Sequence, residues 1–388
     1  MPFGQRLREA LRTFVSNRLS LFVIALLVPE YILAWAIRQY LQARQIAKVR
    51  HASRWTITHG FFLIMGGFHL FESPLHGPCN DNGQLSSPIA WPVDAPLGSR
   101  RPKPNLGPHE NDKPIRMLTG RDLFYESTDL QFVVPTEEEI KDRGKSDWFA
   151  KSLVVIQTTW FLTQYIARQI NQLPIAKLET VTAAYAVMNL AIYFFWWDKP
   201  LNEMWGAPSE SLGLVWGWSD PPPPPKLWSM VHRVMTVIVG SHDNSYDSGG
   251  LKGAPMFWSG CPGSQVCDRA VRITLVLGTL FGAIHCIGWS FTFPSHADVV
   301  LWRISCALMV AVPLYISISG WILWSALDRL PFLKDSKWFL WLVPFIILGA
   351  VLYISARVVT LTLAFTTLRS LPPAAYETVQ WTTFIPHI

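Results

Sequence analysis

Uninterrupted apolar blocks of about 20 residues recur along this chain. They lie at 19–43, 55–71, 148–171, 175–197, 270–291, 299–326 and 338–363. At 1.5 Å of helical rise per residue, each is long enough to cross a hydrocarbon core of about 30 Å. The expected architecture is an all-α polytopic transmembrane helix bundle of about seven spans. It forms a single membrane domain over 1–388, with polar loops at 72–146 and 198–269. Only 15% of the residues are charged and the mean hydropathy is +0.23, against about 25% charged in a soluble domain. A net charge of +6 does not indicate nucleic acid, because the basic residues flank the apolar blocks as membrane anchors do. The 19 Trp and 10 Tyr fit the same reading, and Trp196-Trp197, Trp338 and Trp341 lie at block ends.

Local signals divide the chain further. Pro29-Glu30 stands near the centre of the first block, where proline frees a backbone carbonyl and kinks a helix. Thr136 and Glu139 have the spacing of a capping box and predict a short helix at 137–143. Ser146-Asp147 supplies N-cap residues for the third block, and Pro174 divides it from the fourth, so the two form a helical hairpin. The fourth block stops at Asp198-Lys199-Pro200, and Pro221 to Pro225 reads as a stiff spacer or an SH3-type ligand. The segment 226–240 is too short and too charged to span, and is expected to lie in the interface.

No small-residue cleavage site follows the first block, which reads as a retained signal anchor. Arg38, Arg44, Lys48, Arg50 and Arg54 make 38–54 a basic loop without acids, expected in the cytosol with the tail 372–388. Both long loops then face out. There, Cys261 and Cys267 are close enough in sequence to form a disulfide or to remain thiols, whereas Cys286 and Cys306 read as small apolar residues within spans.

The chain carries no Walker A loop, GxGxxG, HExxH, GxSxG or paired CxxC, and no DxxxD-type acidic pair inside a span. No cofactor can be named. No metal site is expected either, since none of His59, His69, His232, His242 and His285 sits four residues from another. Ionisable groups inside spans are costly and mark polar interiors. With seven alternating spans, His59, Arg168, Glu179, His285, Arg303 and Arg357 all fall near one membrane face and are expected to form one buried polar cluster. Gln157, Gln164 and Arg168 share one face of the third helix, and Glu179 on its hairpin partner is placed to meet Arg168. That pair reads equally as a structural salt bridge. Glu30, near mid-bilayer, needs a cation, a proton, or a bond to the carbonyl freed beside Pro29.

The strings WTITHGFFLIMGGF (55–68), KSDWFAKSLVVIQTTWF (145–161), WWDKP (196–200), HCIGWSFTFPSHADVVLWR (285–303) and LRSLPPAAYETVQWTTFIPHI (368–388) resemble a large family of fungal multi-pass membrane proteins with no assigned activity. The resemblance covers most of the chain outside the long loops. It implies a fungal source and a membrane location, and it transfers no catalytic residue. Members of that family often carry one more hydrophobic segment ahead of the first block, so the resemblance also implies a shortened form.

Three function classes follow. The first is a membrane-embedded enzyme acting on a lipophilic, lipid or prenyl-type substrate, with Glu30, Glu179 or His285 as acid or base. The second is an ion or small-solute transporter or channel using Glu30, His59, Arg168 and Glu179. The third is a non-catalytic scaffold that uses the proline run. The expected surroundings are the lipid bilayer of an endomembrane or the plasma membrane, and the expected ligand is a lipophilic small molecule or an ion.

Overall fold

The computed structural model describes residues 19, 21–50, 55–72, 113–117, 136–142, 145–200, 257–260, 263–329, 342–371 and 373–376. They are mostly helical. α1 (Leu21–Leu27) and α2 (Pro29–Val49) meet at a bend of 105°. α3 (Ile57–Ile64) follows, and then β1 (His69–Glu72) pairs antiparallel with β2 (Lys113–Met117), His69 opposite Met117 and Glu72 opposite Lys113. α4 (Glu137–Asp142) leads into the hairpin of α5 (Lys145–Ile170) and α6 (Lys177–Phe195). The long helices α7 (Ser264–His285), α8 (His296–Arg329) and α9 (Leu342–Thr366) complete the bundle.

By length and composition four segments can cross a membrane: Lys177–Phe195, Gln265–Ser290, His296–Gly320 and Pro344–Ser370. The α1–α2 pair makes a fifth if the bent pair is one broken span. Three of the blocks read from the sequence therefore differ. Block 55–71 holds a helix of eight residues, about 12 Å long, followed by a strand. Block 148–171 forms a helix of 26 residues, long enough to span, but Lys151, Gln157, Gln164 and its threonines leave it less apolar than the four. Block 19–43 is interrupted at Val28.

The break has a local cause. Proline has no N–H, its ring clashes with the carbonyl four residues earlier, and it drives the preceding residue out of the α region. Val28 accordingly takes φ −142° and ψ 64°. Pro29 then occupies the first helical turn of α2 with Glu30 beside it, where a fixed φ and a carboxylate suit the positive end of a helix.

α2, α6, α7, α8 and α9 share one core, with Leu33, Ile37, Val181, Ala184, Met188, Phe281, Trp302, Met309, Tyr353 and Ala356 buried in it. α7 and α8 touch backbone to backbone at Gly282, where a Cβ would come within 2.6 Å of the Met309 carbonyl oxygen. Only 28% of each spanning window is buried. The outward faces carry exposed Val276, Leu280, Ile304, Ile318, Phe345, Leu348, Val351 and Phe365. So much contiguous apolar surface is stable in lipid and not in water. These segments make the fold that of an integral membrane protein.

A second cluster caps one end of the bundle: Ala43, Ile46, Trp55, Phe61, Leu63, Ile64 and Trp258. The Trp258 carbonyl accepts from Trp35 Nε1 at 2.8 Å and from Gln39 Nε2 at 2.7 Å, and Arg38 Nε donates to Ser259 Oγ at 3.3 Å. The polar stretch read as a free basic loop from Arg38 onward is thus helical to Val49 and packs on residues 257–260. Those two segments, expected on opposite membrane faces, lie at the same end. Arg38 is 1% exposed. The capping box at Thr136 forms: its N–H donates to Glu139 Oε2 at 2.9 Å, and the Glu139 N–H returns a bond to Thr136 Oγ1 at 3.2 Å.

Candidate functional site

The break between α1 and α2 leaves the carbonyls of Leu26 and Leu27 without helical partners. Inside a hydrocarbon region each such group costs several kcal/mol, roughly, if left bare. The Tyr185 hydroxyl of α6 donates to the Leu26 carbonyl, and Arg357 Nε of α9 donates to the Leu27 carbonyl at 3.2 Å. Arg357 also stands 3.6 Å from Glu30 Oε1, which accepts from the Tyr353 hydroxyl at 2.6 Å. Its guanidinium lies 3.9 Å from the centre of the Phe281 ring and 5.2 Å from that of Tyr185. A single arginine therefore ties the broken backbone, a buried carboxylate and two aromatic faces together. Glu30 Oε2 has no hydrogen-bond partner among the described residues.

His285 closes the back of this site. Its Nδ1 lies 2.8 Å from the Phe281 carbonyl, which only accepts, so Nδ1 carries the proton. Its ring packs 4.7 Å from the Phe281 ring, and its own carbonyl accepts from Cys306 Sγ at 3.4 Å.

Beside the break a groove of about 450 Å³ runs between α1, α2, α5 and α6. Its walls are apolar, with Pro29, Ile32, Phe161, Met188 and Ile192, and its polar groups are Gln157, Asn189, Thr158, Thr182 and Tyr185. A second groove, of about 400 Å³, lies at the capped end.

The other residues singled out by sequence do not join Glu30. Arg168 Nε is 3.5 Å from Glu179, and its Nη2 donates to the carbonyls of Pro174 at 2.7 Å and Ala375 at 2.9 Å. This pair ties the α5–α6 turn to the chain after α9. Arg303 is exposed, donating to the Trp289 carbonyl at 3.2 Å with its guanidinium 5.4 Å from the Trp289 ring centre. It is turned out of the bundle, as an arginine at a helix start reaching for the interface is. His59 accepts from the Thr56 N–H at 3.1 Å in the first turn of α3. Gln157 is exposed into the large groove and Gln164 is half-buried. One cluster of six was expected, and its members are distributed over at least three places. The alternation that put them at one depth counted 55–71 as a span, and α3 is too short to be one. Cys261 and segment 226–240 lie outside the described residues, and with them the disulfide to Cys267, which sits half-buried in α7.

Two tyrosines and a lysine went unread. Tyr185 and Tyr353 are hydroxyls in the middle of apolar blocks, a signal visible in sequence. Lys199, read as a stop residue, folds back: its Nζ donates to Gln39 Oε1 at 2.9 Å and lies 4.1 Å from the Trp196 ring centre and 4.9 Å from that of Trp35. Burial, and then the charge of Lys151, lowers it to about 7. Lys151 Nζ donates to the carbonyls of Trp197 at 3.2 Å and Lys199 at 2.6 Å, closing the end of α6.

Residues 131–207 match a family of unknown function (DUF8562). That stretch runs from before α4 through the α5–α6 hairpin to beyond Lys199. No curated protein and no solved structure matches the chain.

Proposed function

We propose that this integral membrane protein holds a lipophilic molecule with one polar end in the groove between α1, α2, α5 and α6. The observation that carries it is the composition of that groove: about 450 Å³, apolar walls, and the amides of Gln157 and Asn189 beside the Thr158 and Thr182 side chains. Small-molecule sites have this size and this ratio of apolar surface to converging polar groups. Neither Glu30, Glu179 nor His285 is among its lining residues, and the amides and hydroxyls that are bind rather than transfer protons. The geometry therefore favours binding or carriage of a lipid or prenyl-type molecule over conversion of it. The recurring strings that resemble fungal multi-pass proteins support a fungal source and a place in such a family for the whole chain.

A purified sample in mild detergent, extracted and analysed by mass spectrometry, should yield one lipophile at a fixed ratio to protein. Ala186→Trp, which fills the groove, should lose that molecule while the protein stays folded and monodisperse. Equal recovery of the same molecule from both proteins would sink this reading. Transport of an ion or small solute has one observation in its favour, a discontinuous helix bearing Glu30 at its break, the arrangement found at coupling-ion sites. Ion uptake by proteoliposomes that Glu30→Gln abolishes would favour it instead.

A further inference from the structure

At the capped end, α2 projects Arg44 and Lys48, one turn apart and both exposed, into the groove of about 400 Å³. Opposite them stand Asp198, just past α6, and Glu137 at the start of α4, with Trp55 and Thr58 between. Glu137 is already engaged, by Lys141 at 2.6 Å and by the Thr58 hydroxyl at 3.1 Å. Among the described residues, Arg44, Lys48 and Asp198 have no ion-pair partner. The groove thus presents two unpaired cations and, across from them, one unpaired carboxylate.

Depth places it at the headgroups. Glu30 lies against Gly278, mid-way along the span Gln265–Ser290, and α2 runs from there toward Ser259 and Gly260, just ahead of α7. About 20 Å of helix separates Glu30 from Arg44, and half a hydrocarbon core is about 15 Å. Trp55, Trp196, Trp197 and Trp258 gather at this same end, as indoles do at the headgroup level.

We propose that this groove seats the headgroup of a zwitterionic phospholipid, its phosphate on Arg44 and Lys48 and its ammonium on Asp198. The argument is charge complementarity at a fixed depth. A purely anionic headgroup satisfies the two cations and leaves Asp198 facing negative charge, whereas a phosphate with an ammonium a few bonds away satisfies both sides. The site is separate from the lipophile groove, and it stands whether or not that groove is occupied.

Full-length protein in detergent, loaded with matched phosphoethanolamine, phosphoglycerol and diacylglycerol lipids, tests it by native mass spectrometry. The wild type should retain the phosphoethanolamine lipid about tenfold better than the phosphoglycerol lipid, the value of one charge-assisted contact. Asp198→Asn should abolish that preference, and the double variant Arg44→Gln with Lys48→Gln should reduce retention of both phospholipids toward that of diacylglycerol. These positions are exposed or half-buried, and thermal unfolding of each variant at the wild-type temperature establishes that the fold is kept. Retention of the phosphoglycerol lipid equal to or above the phosphoethanolamine lipid overturns the proposal. So does an unchanged preference in Asp198→Asn, or displacement of the lipid by inorganic phosphate alone.

Discussion

Arg357 is 2% exposed and Glu30 is 11% exposed at their side chains, so this ion pair is shielded from water and each charge depends on the other. Removing one partner of such a pair costs about 3–5 kcal/mol, because a buried charge is left alone. Glu30→Leu is therefore expected to lower the stability of the folded protein by that order in denaturant titration. Replacing both, Glu30→Leu with Arg357→Met, should recover part of the loss, and strictly additive losses would show that the two do not interact. Lys199 carries a second residue-scale expectation. Its pKa lies at about 7 in the fold against 10.5 for an ordinary lysine, so between these values the unfolded chain binds more protons than the folded one. Stability should rise with pH across that window and be flat on either side of it from this group. Amine acylation of Lys199, followed by peptide mass spectrometry against pH, should give a midpoint near 7. A midpoint in the ordinary lysine range would mean that the Trp196 and Trp35 faces and Gln39 restore the charged form.

Among elements, the contact of α7 with α8 is the least tolerant of added volume. A Cβ at Gly282 would meet backbone atoms of Met309 and Val310 at 2.6–2.9 Å, and backbone cannot move aside as a flexible side chain does. Small residues let spanning helices approach this closely. Gly282→Ala is expected to cost about 1–3 kcal/mol through forced separation, read as a lowered unfolding midpoint in detergent. Gly320→Ala in α8 is the control: nothing lies within 4 Å of its Cβ position, and alanine favours a helix over glycine by about 1 kcal/mol. Equal effects of the two changes would remove the packing explanation. The α1–α2 break belongs to this scale too. Pro29 makes it, but a break inside a bilayer persists only because Tyr185 and Arg357, from two other helices, take up the freed carbonyls.

For the molecule as a whole, the hydrogen bonds sort the chain by end. Arg38, Gln39 and Gln42 reach residues 258–260, Thr58 reaches Glu137, and Lys199 reaches Gln39, all at one end. Arg168 reaches Pro174 and Ala375 at the other. Single cysteines at Arg44 and Asp198 should therefore react with a membrane-impermeant reagent from the same side of sealed vesicles. A cysteine at Arg369, exposed past the end of α9, should react from the opposite side. Labelling of Arg44→Cys and Arg369→Cys from one side would contradict this arrangement.

Length and apolarity are local properties, and they identified what local properties can. The helices at 177–195, 265–290, 296–320 and 344–370 stand where apolar blocks stand, and Thr136 and Glu139 cap α4 through neighbours three residues apart. Pro29 followed by Glu30 carried the signature of a helix start, legible as such and read instead as a kink. Contact between Arg168 and Glu179 followed from their places about Pro174, because a short turn leaves few ways for two helices to pair. What pairs with Glu30 was not legible: Arg357 lies 327 positions away, and no periodicity in either segment encodes the other. Depth by alternation failed for the same reason that block 55–71 did. Sidedness is a sum over every span, and one helix too short to cross alters the accounting for all that follow. Which buried charge meets which, and which ends lie together, depends on helix packing across the whole chain, and only the tertiary structure decides it.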